Sequence, residues 1–180
     1  MRSGKLVLYQ ISLEQDPDMV IVKWLLIVVA FIVIAAVVAG QLGLLKGTPP
    51  TDLGVHEGRL KPPSRTPNSV SSQASLYPDH PQRAYASIAP LPLKGDAAGT
   101  MARIAGIVEA MDGAQVVRSE PGYLYAQFTT RIMKYVDDAE FWFDPDAGVI
   151  QVRSSSRLGS GDLGVNRERI EFIRQQLGSS

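Results

Sequence analysis

The chain of 180 residues balances 18 Lys and Arg against 18 Asp and Glu, so it lacks the basic field that attracts nucleic acid. It has no cysteine, which excludes disulfides, thiolate metal sites and thiol nucleophiles. Its two histidines, His56 and His80, are too few for an ordinary zinc site, and we expect no cofactor. Once an apolar helix and a Pro/Ser-rich stretch are set aside, the remaining length suits one compact domain.

The N-terminal part contains a membrane segment. Every residue from Trp24 to Ala39 is apolar, and the run continues to Leu45 with a single amide. At about 1.5 Å per residue this stretch covers a hydrocarbon core of roughly 30 Å. We predict a transmembrane helix at residues 23–46 after a short segment at residues 1–22. A secretory signal cleaved after Ala39 is the alternative, and Met19 is a second possible start.

Positive charge does not settle the orientation of this helix. The basic residues after it, Lys46, Arg59, Lys61 and Arg65, outnumber Lys5 and Lys23 before it. By the positive-inside rule this would keep the C-terminal side in the cytoplasm. Because the later charges lie in or near a Pro-rich segment, we nevertheless expect the C-terminal side in the periplasm.

Residues 47–82 are predicted to form a tether. The stretch is rich in Pro, Ser, Gly and Asn and has hardly any apolar periodicity. Such a composition buries too little apolar surface to fold alone. It can still lie against the domain that we place at residues 83–180, so we expect it to be partly docked.

The first half of the domain predicts a strand, a helix and two more strands. Ala84–Leu91 is the first strand. Asp96 caps a helix whose apolar residues recur at three- and four-residue spacing: Met101, Ile104, Ala105, Val108 and Met111. Strands at Gln115–Ser119 and Tyr123–Ile132 follow, and the second alternates apolar with polar residues.

The second half predicts a hairpin and a last helix. Turn formers at residues 144–148 join strands at Ala139–Phe143 and Val149–Ser155. The helix begins near Asn166, with Ile170, Ile173 and Leu177 on one side and Arg167, Arg169 and Arg174 on the other. Connections among the strands are too short for parallel crossovers. The prediction is an α+β fold, an antiparallel sheet of about five strands with two helices on one face, preceded by one transmembrane helix.

The densest polar segment runs from Val152 to Arg167, from a strand end through a Gly/Ser loop into a helix start. Backbone N–H groups at a helix start and guanidinium groups suit a phosphate or carboxylate. The predicted ligand-binding residues are Arg153, Arg157, Arg167 and Asn68. The alternative is that the arginines pair with Asp137, Asp138 or Asp162 and only hold the loop. No nucleophile elbow or phosphate-binding glycine loop occurs, and no catalytic residue or metal ligand is predicted.

Several ordered motifs together resemble the family called domain of unknown function 1499. They are Pro67–Ser72, Asp137–Phe141, Ile150–Ser154, Ser156-Arg157, Asp162–Arg167 and Ile173-Arg174. The resemblance implies an envelope protein of bacteria, with relatives in plant chloroplasts, whose activity is not established. The usual pattern of the family has cysteine where this chain has Ser69, so a role that depends on that thiol does not carry over.

The leading hypothesis is a non-enzymatic envelope protein that is held in the bacterial inner membrane through Trp24–Leu45 and binds a lipid or a membrane protein partner. A contrasting hypothesis is an enzyme on an anionic envelope substrate, with the three arginines as a clamp and Asp137 or Asp138 as base. A third is an assembly or scaffolding factor. An apolar cavity between sheet and helices would favour a lipid, whereas a filled core with an exposed apolar patch would favour a protein partner.

Overall fold

The computed structural model describes residues 17–179. The chain forms two compact units, the first ending at Val38 and the second beginning at Ala39. The first helix, α1, spans Pro17–Gln41. Within Asp18–Gln41, an 18-residue window reaches a mean hydropathy of 3.0, and none of that window is buried. By length and composition it can cross a membrane. Of the N-terminal segment predicted at residues 1–22, residues 1–16 lie outside the described part.

The second unit contains a six-stranded antiparallel sheet. Its strands are β1 (Ser69–Ser71), β2 (Leu91–Pro92), β3 (Ala114–Glu120), β4 (Tyr123–Thr129), β5 (Val136–Asp144) and β6 (Val149–Ser156). The spatial order is β1-β6-β5-β4-β3, and β2 also pairs with β6. The helices are a 3₁₀ turn (Ala74–Leu76), α2 (Arg83–Ala86), α3 (Ala97–Glu109) and α4 (Val165–Gly178). The predicted α+β class with an antiparallel sheet is confirmed.

Helices α3 and α4 pack on one face of the sheet because both have an apolar stripe. The buried core joins their side chains to alternate residues of β4, β5 and β6. Its central members include Ile104, Val108, Leu124, Phe141, Val152, Ile170 and Ile173. Full burial of each aliphatic or aromatic side chain contributes roughly 1.5–3 kcal/mol, so this layer stabilises the fold.

Local signals fix the ends of α3. The Asp96 side chain accepts a hydrogen bond from the Gly99 N–H at 2.7 Å, as the predicted cap requires. After the helix, Gly113 adopts φ +72°, and a Cβ there would lie 2.2 Å from the carbonyl oxygen of Thr129. Only glycine therefore allows the turn into β3 to pass so close to β4.

Two predicted elements are wrong in part. Ala84–Leu91 is not a strand, since Arg83–Ala86 is helical and only Leu91–Pro92 pairs with β6. Four of its eight residues, Ala84, Ala86, Ser87 and Ala89, are small, so the side chains of this stretch do not by themselves specify a strand. The strand predicted to reach Ile132 ends at Thr129, and Ile132 is exposed, because the chain turns there toward β5.

The opposite face of the sheet is covered by residues 47–68, which we call the strap. Leu60 in the strap is buried, and its N–H donates to the side chain of Gln73. The Gly54 N–H donates to the Glu140 carboxylate at 2.7 Å, and the Pro62 carbonyl accepts from Arg153. These contacts place the strap over polar side chains of the sheet, where it encloses the site described next.

Candidate functional site

Alternation along three central strands produces a polar face beneath the strap. In β4 and β5, the residue pairs Tyr125 with Glu140 and Gln127 with Asp138 face each other across the ladder. In β6, Arg153 lies opposite Glu140. Because residues two apart share a face of a sheet, the polar face comprises Tyr123, Tyr125, Gln127, Asp138, Glu140, Arg153, Ser155 and Arg157.

Glu140 and Arg153 form the centre of this face. The Glu140 side chain is fully buried, and its Oε1 accepts from the Gly54 N–H and the Tyr123 hydroxyl, both at 2.7 Å. Among the described residues its Oε2 has no hydrogen-bond donor. The nearest cation is Arg153 Nη1 at 3.9 Å, which is too long for a hydrogen bond. The pair is therefore electrostatic, with incomplete hydrogen bonding on both sides.

The Arg153 side chain is only 5 % exposed, yet its guanidinium has few protein partners. Its Nε donates to the Pro62 carbonyl at 3.3 Å, and no further hydrogen bond from it occurs within residues 17–179. Burial lowers the pKa of Arg153, and the charges of Glu140, Asp138 and Asp52 partly oppose that effect. A buried guanidinium has five N–H donors, so most of its donors lack a protein acceptor.

Arg157, by contrast, is satisfied by the protein. Its Nε and Nη2 donate to the two carboxylate oxygens of Asp138 at 2.8 and 2.7 Å, and both side chains are about 95 % buried. The Tyr125 hydroxyl also donates to Asp138 at 2.6 Å. The hydrogen bond with Asp138 is the main cause that raises the pKa of Arg157. This geometry is the loop-holding pair that the sequence offered as the alternative to an anion site.

A cavity of about 480 Å³ lies between the strap and the polar face. Arg153 and Arg157 both line it, together with Asp52, Lys61, Ser64 and Ser155. Lys61 is paired with Asp52 at 2.6 Å. Two of the three cations in the wall thus have a close carboxylate partner, and Arg153 is the cation that has none within hydrogen-bonding distance. The cavity wall presents this guanidinium to any anion that enters.

The other two predicted ligand residues lie apart from the cavity lining. Arg167 donates to the backbone carbonyls of Tyr85 and Ser87, the latter at 2.9 Å, and fixes the segment after α2. Asn68 is buried, and its Nδ2 donates to the Gly159 carbonyl at 2.9 Å. Its Oδ1 has no donor among the described residues. The structure brings Arg153 and Arg157 together, and the ligand role of all four residues stays a prediction.

A buried network around Asn166 was not predicted from the sequence. Asn166 Oδ1 accepts from Ser154 and Arg169, both at 2.6 Å, and Arg169 also donates to Asp137 at 2.6 Å. The Arg169 guanidinium lies 4.3 Å from the Phe128 ring centroid. Arg169 was predicted on the outer side of α4, which is wrong. The signal for the network is the three- and four-residue spacing that places Asn166 and Arg169 beside the Ile170 and Ile173 stripe.

Asp162 organises the loop before α4. It accepts from the Gly164 N–H at 3.0 Å and from Asn166 Nδ2 at 2.8 Å, and the Tyr85 hydroxyl makes a short hydrogen bond to it. Burial by itself raises the pKa of Asp162, but the hydrogen bonds from Tyr85, Asn166 and the backbone outweigh it and lower the pKa below its ordinary value. Asp162 thus stabilises the loop as a carboxylate.

The acids considered as bases are both engaged by arginines. Asp137 is paired with Arg169 and Asp138 with Arg157. In the part of the chain that the structure describes, no group of three or more His, Asp or Glu residues could hold a metal ion. At Arg153 the cavity offers guanidinium N–H groups, which are of a kind that suits the oxygens of an anion.

Comparison with known families identifies the chain. The model of the family described as a protein of unknown function (DUF1499) matches residues 59–177, well over half of the sequence. The chain belongs to the DUF1499 family. No curated protein and no solved structure matches it. The family assignment confirms the resemblance that the ordered motifs indicated.

The DUF1499 match includes the buried network around Asn166 and most of the residues that line the strap cavity. It begins at Arg59 in the strap and includes the serine at position 69. That serine, Ser69, is buried in β1, and its Oγ accepts from the Ser64 N–H at 2.8 Å. Ser64 in turn contacts Ser155 on the polar face at 3.1 Å. In this DUF1499 protein the position therefore anchors the strap beside the cavity.

Proposed function

We propose that this DUF1499 protein is a non-enzymatic, single-pass protein of the bacterial inner membrane, with its domain in the periplasm, and that the strap cavity binds the anionic headgroup of a lipid. The observation that carries the proposal is the Arg153 guanidinium. It lies in the wall of a polar cavity, on a side chain that is about 95 % buried, and makes a single hydrogen bond to the described part of the protein.

Arg153 favours an anion for energetic reasons. The Arg153 nitrogens are not among the buried atoms without a partner, and a hydrogen bond between such a charged group and an anion contributes roughly 1.5–3 kcal/mol. A phosphate or carboxylate oxygen in the cavity supplies the missing acceptors and partly neutralises the guanidinium. Glu140 reduces the net charge but lies 3.9 Å away and leaves the terminal donors free to bind a ligand.

The position of the cavity along the chain favours a lipid headgroup as the source of the anion. Thr48 is the first residue that lines it, and α1 ends at Gln41. Seven residues span at most about 25 Å when extended, so the cavity entrance stays close to the membrane surface if α1 crosses the bilayer. The core between sheet and helices is filled by side chains. The acyl chains of the lipid therefore remain in the membrane, and only the headgroup enters.

Titration of the full chain in detergent with a short-chain phosphatidylglycerol tests the proposal, with phosphatidylcholine of the same chain length and inorganic phosphate as comparison ligands. We expect phosphatidylglycerol to bind more tightly than phosphatidylcholine. Phosphate binding without this preference would point to a free anion rather than a lipid. Equal affinity for both lipids, with no phosphate binding, would contradict an anion site.

Variants of the central pair sharpen this test. Glu140→Gln keeps Arg153 and removes its competing carboxylate, so we expect it to strengthen binding of phosphatidylglycerol. Combining Glu140→Gln with Arg153→Met removes both buried charges, and binding should weaken about 10- to 100-fold, which corresponds to one charged hydrogen-bonded contact of roughly 1.5–3 kcal/mol. Arg83→Met, at an exposed arginine outside the cavity, is the matched control and should bind as the parent does.

A membrane protein partner is the second candidate, because the core is filled and an apolar groove lies outside it. The groove has a volume of about 810 Å³ between α3 and α4, and Ile107, Met111 and Phe172 contribute to its lining. We expect a photo-crosslinking residue in place of Ile107 to form one protein adduct of defined mass in native membranes. That adduct should be lost in Phe172→Glu. Lipid adducts alone would reject this candidate.

A further inference from the structure

Two loops with exposed apolar side chains lie near Leu45, shortly after the end of α1, and we call them the rim. Residues 130–135 and 157–165 form two loops that together line one groove of about 510 Å³ with Leu45. Several large apolar side chains of these loops are at least 39 % exposed: Ile132, Tyr135, Leu158, Leu163 and Val165. Leu42 and Leu44, immediately after α1, are exposed as well. A water-facing surface rarely gathers so many large apolar side chains.

The rim is joined to the last turn of α1. The Gln41 side chain donates to the Ile132 carbonyl at 2.9 Å. A Cβ on Gly40 would lie 2.5 Å from the Met133 carbonyl oxygen, so the backbones of the helix end and the loop are in direct contact. Because the loop 130–135 contacts residues 40 and 41, its depth relative to a membrane is set by the depth of those two residues. If α1 crosses a membrane, this loop lies at its surface.

Leu163 is the most exposed apolar residue of the rim. Its side chain is 100 % exposed, and its backbone has φ +53°, a region that leucine rarely adopts. Asp162 braces the turn, since its N–H donates to the Pro67 carbonyl at 3.2 Å and its carboxylate accepts from the Gly164 N–H. A rigid turn thus holds a leucine outward at the cost of backbone strain.

Charge around the rim matches a lipid surface. Lys46, Arg131 and Lys134 lie in or beside the same loops, and none of them forms an ion pair with a described residue. The two acids that line the same groove are engaged, Asp137 by Arg169 and Asp162 by Tyr85 and Asn166. Apolar groups flanked by free cations suit the boundary between acyl chains and phosphates.

We propose that the loops 130–135 and 157–165 enter the interfacial layer of the bilayer, with Ile132 and Leu163 among the acyl chains and Lys46, Arg131 and Lys134 at the lipid phosphates. The occupant of this surface is the membrane itself. This contact involves other side chains than the ligand site at Arg153, although the groove and the strap cavity adjoin at Ser156. It fixes the domain on the membrane surface instead of leaving it to move on a flexible tether.

The absence of native cysteine permits a direct test, because one introduced cysteine takes a single label. An environment-sensitive fluorophore is attached to the full chain at Leu163→Cys or Ile132→Cys, and single chains are placed in nanodiscs that contain lipid-borne nitroxide quenchers. Val117→Cys, half exposed on β3, is the control for water. Val33→Cys in α1 is the control for membrane insertion.

We expect labels at residues 163 and 132 to show blue-shifted emission and strong quenching, as at residue 33, while the label at residue 117 stays in water. Labels at 163 and 132 that match residue 117, with residue 33 quenched, would overturn the proposal and leave the strap cavity untouched. Protection of residue 163 in native membranes but not in nanodiscs would overturn it in favour of a protein partner. A label at residue 33 that also stays in water would overturn both this inference and the membrane anchor.

Discussion

Removal of the Arg157 guanidinium separates a structural role from a ligand-binding role for this residue. Arg157→Ala deletes two hydrogen bonds to Asp138, at 2.8 and 2.7 Å. The Asp138 side chain, 4 % exposed in the parent, then keeps the Tyr125 hydroxyl as its remaining side-chain donor. The main energetic consequence is an uncompensated buried charge rather than lost packing.

The size of the effect follows from the burial of the pair. An exposed ion pair contributes at most about 1 kcal/mol, whereas breaking a buried pair costs roughly 3–5 kcal/mol. Because Arg157 also lines the strap cavity, where water has access, we expect the lower end, about 3 kcal/mol. For a domain of this size each kcal/mol shifts the Tm by about 3 °C, so the Tm should fall by roughly 10 °C.

Thermal unfolding of the full chain in detergent, followed by near-ultraviolet circular dichroism, measures this fall. Glu171→Ala is the matched control, because it breaks the Arg174 pair at 2.8 Å, in which the Glu171 side chain is 49 % exposed. Its Tm should change by no more than about 3 °C. Adding Asp138→Ala to Arg157→Ala should recover part of the loss, since the orphaned charge is removed. A Tm of Arg157→Ala that matches the parent, with weakened lipid binding, would refute the structural role.

Three further predictions concern the loop before α4, the turn into β3 and the membrane anchor. Because the pKa of Asp162 is lowered in the fold, its contribution to stability is complete above the unfolded value of about 3.9 and is lost as the pH falls below it. In urea unfolding Asp162→Asn should therefore be less stable at pH 7 and lose less stability in acid, and an unchanged acid slope would contradict this. Gly113→Ala should lower the free energy of unfolding by more than about 2 kcal/mol, because its Cβ would lie 2.2 Å from the Thr129 carbonyl oxygen at a φ of +72°. Gly148→Ala, at φ +66° with open space around the Cβ, is the control and should lower it less. A reporter that works only in the cytoplasm, fused after Ser180, should be silent, and an active reporter would reverse the proposed orientation.

Regular periodicity explains what could be predicted. The stripe of α3, the alternation in β4 and the hairpin at Asp144 all recur in the structure, because one buried face imposes a period of 3.6 or 2 on the sequence. The sequence missed β1, since Ser69–Ser71 is three residues long and lies in a stretch rich in Ser and Pro. Its strand conformation comes from pairing with β6, which is a tertiary contact.

The candidate site was predictable only in part for the same reason. Arg153 and Arg157 stood out as cations at a strand end, and their two-residue alternation with Ser155 places them on one face. Their partners depend on register, which sets Arg153 opposite Glu140 in the neighbouring strand. The contact of the strap with the sheet could not be predicted from composition, because a Pro-rich segment has no regular spacing of apolar residues. The strap is held in place by tertiary contacts such as the hydrogen bond from the Gly54 N–H to Glu140.

Native mass spectrometry of the full chain, released gently from native membranes, tests the central claim most directly. We expect an anionic phospholipid to be retained on the parent chain and on Arg83→Met, and to be absent from the combined Glu140→Gln and Arg153→Met variant. A neutral lipid, no lipid on the parent, or equal retention on the combined variant would contradict a headgroup site at Arg153.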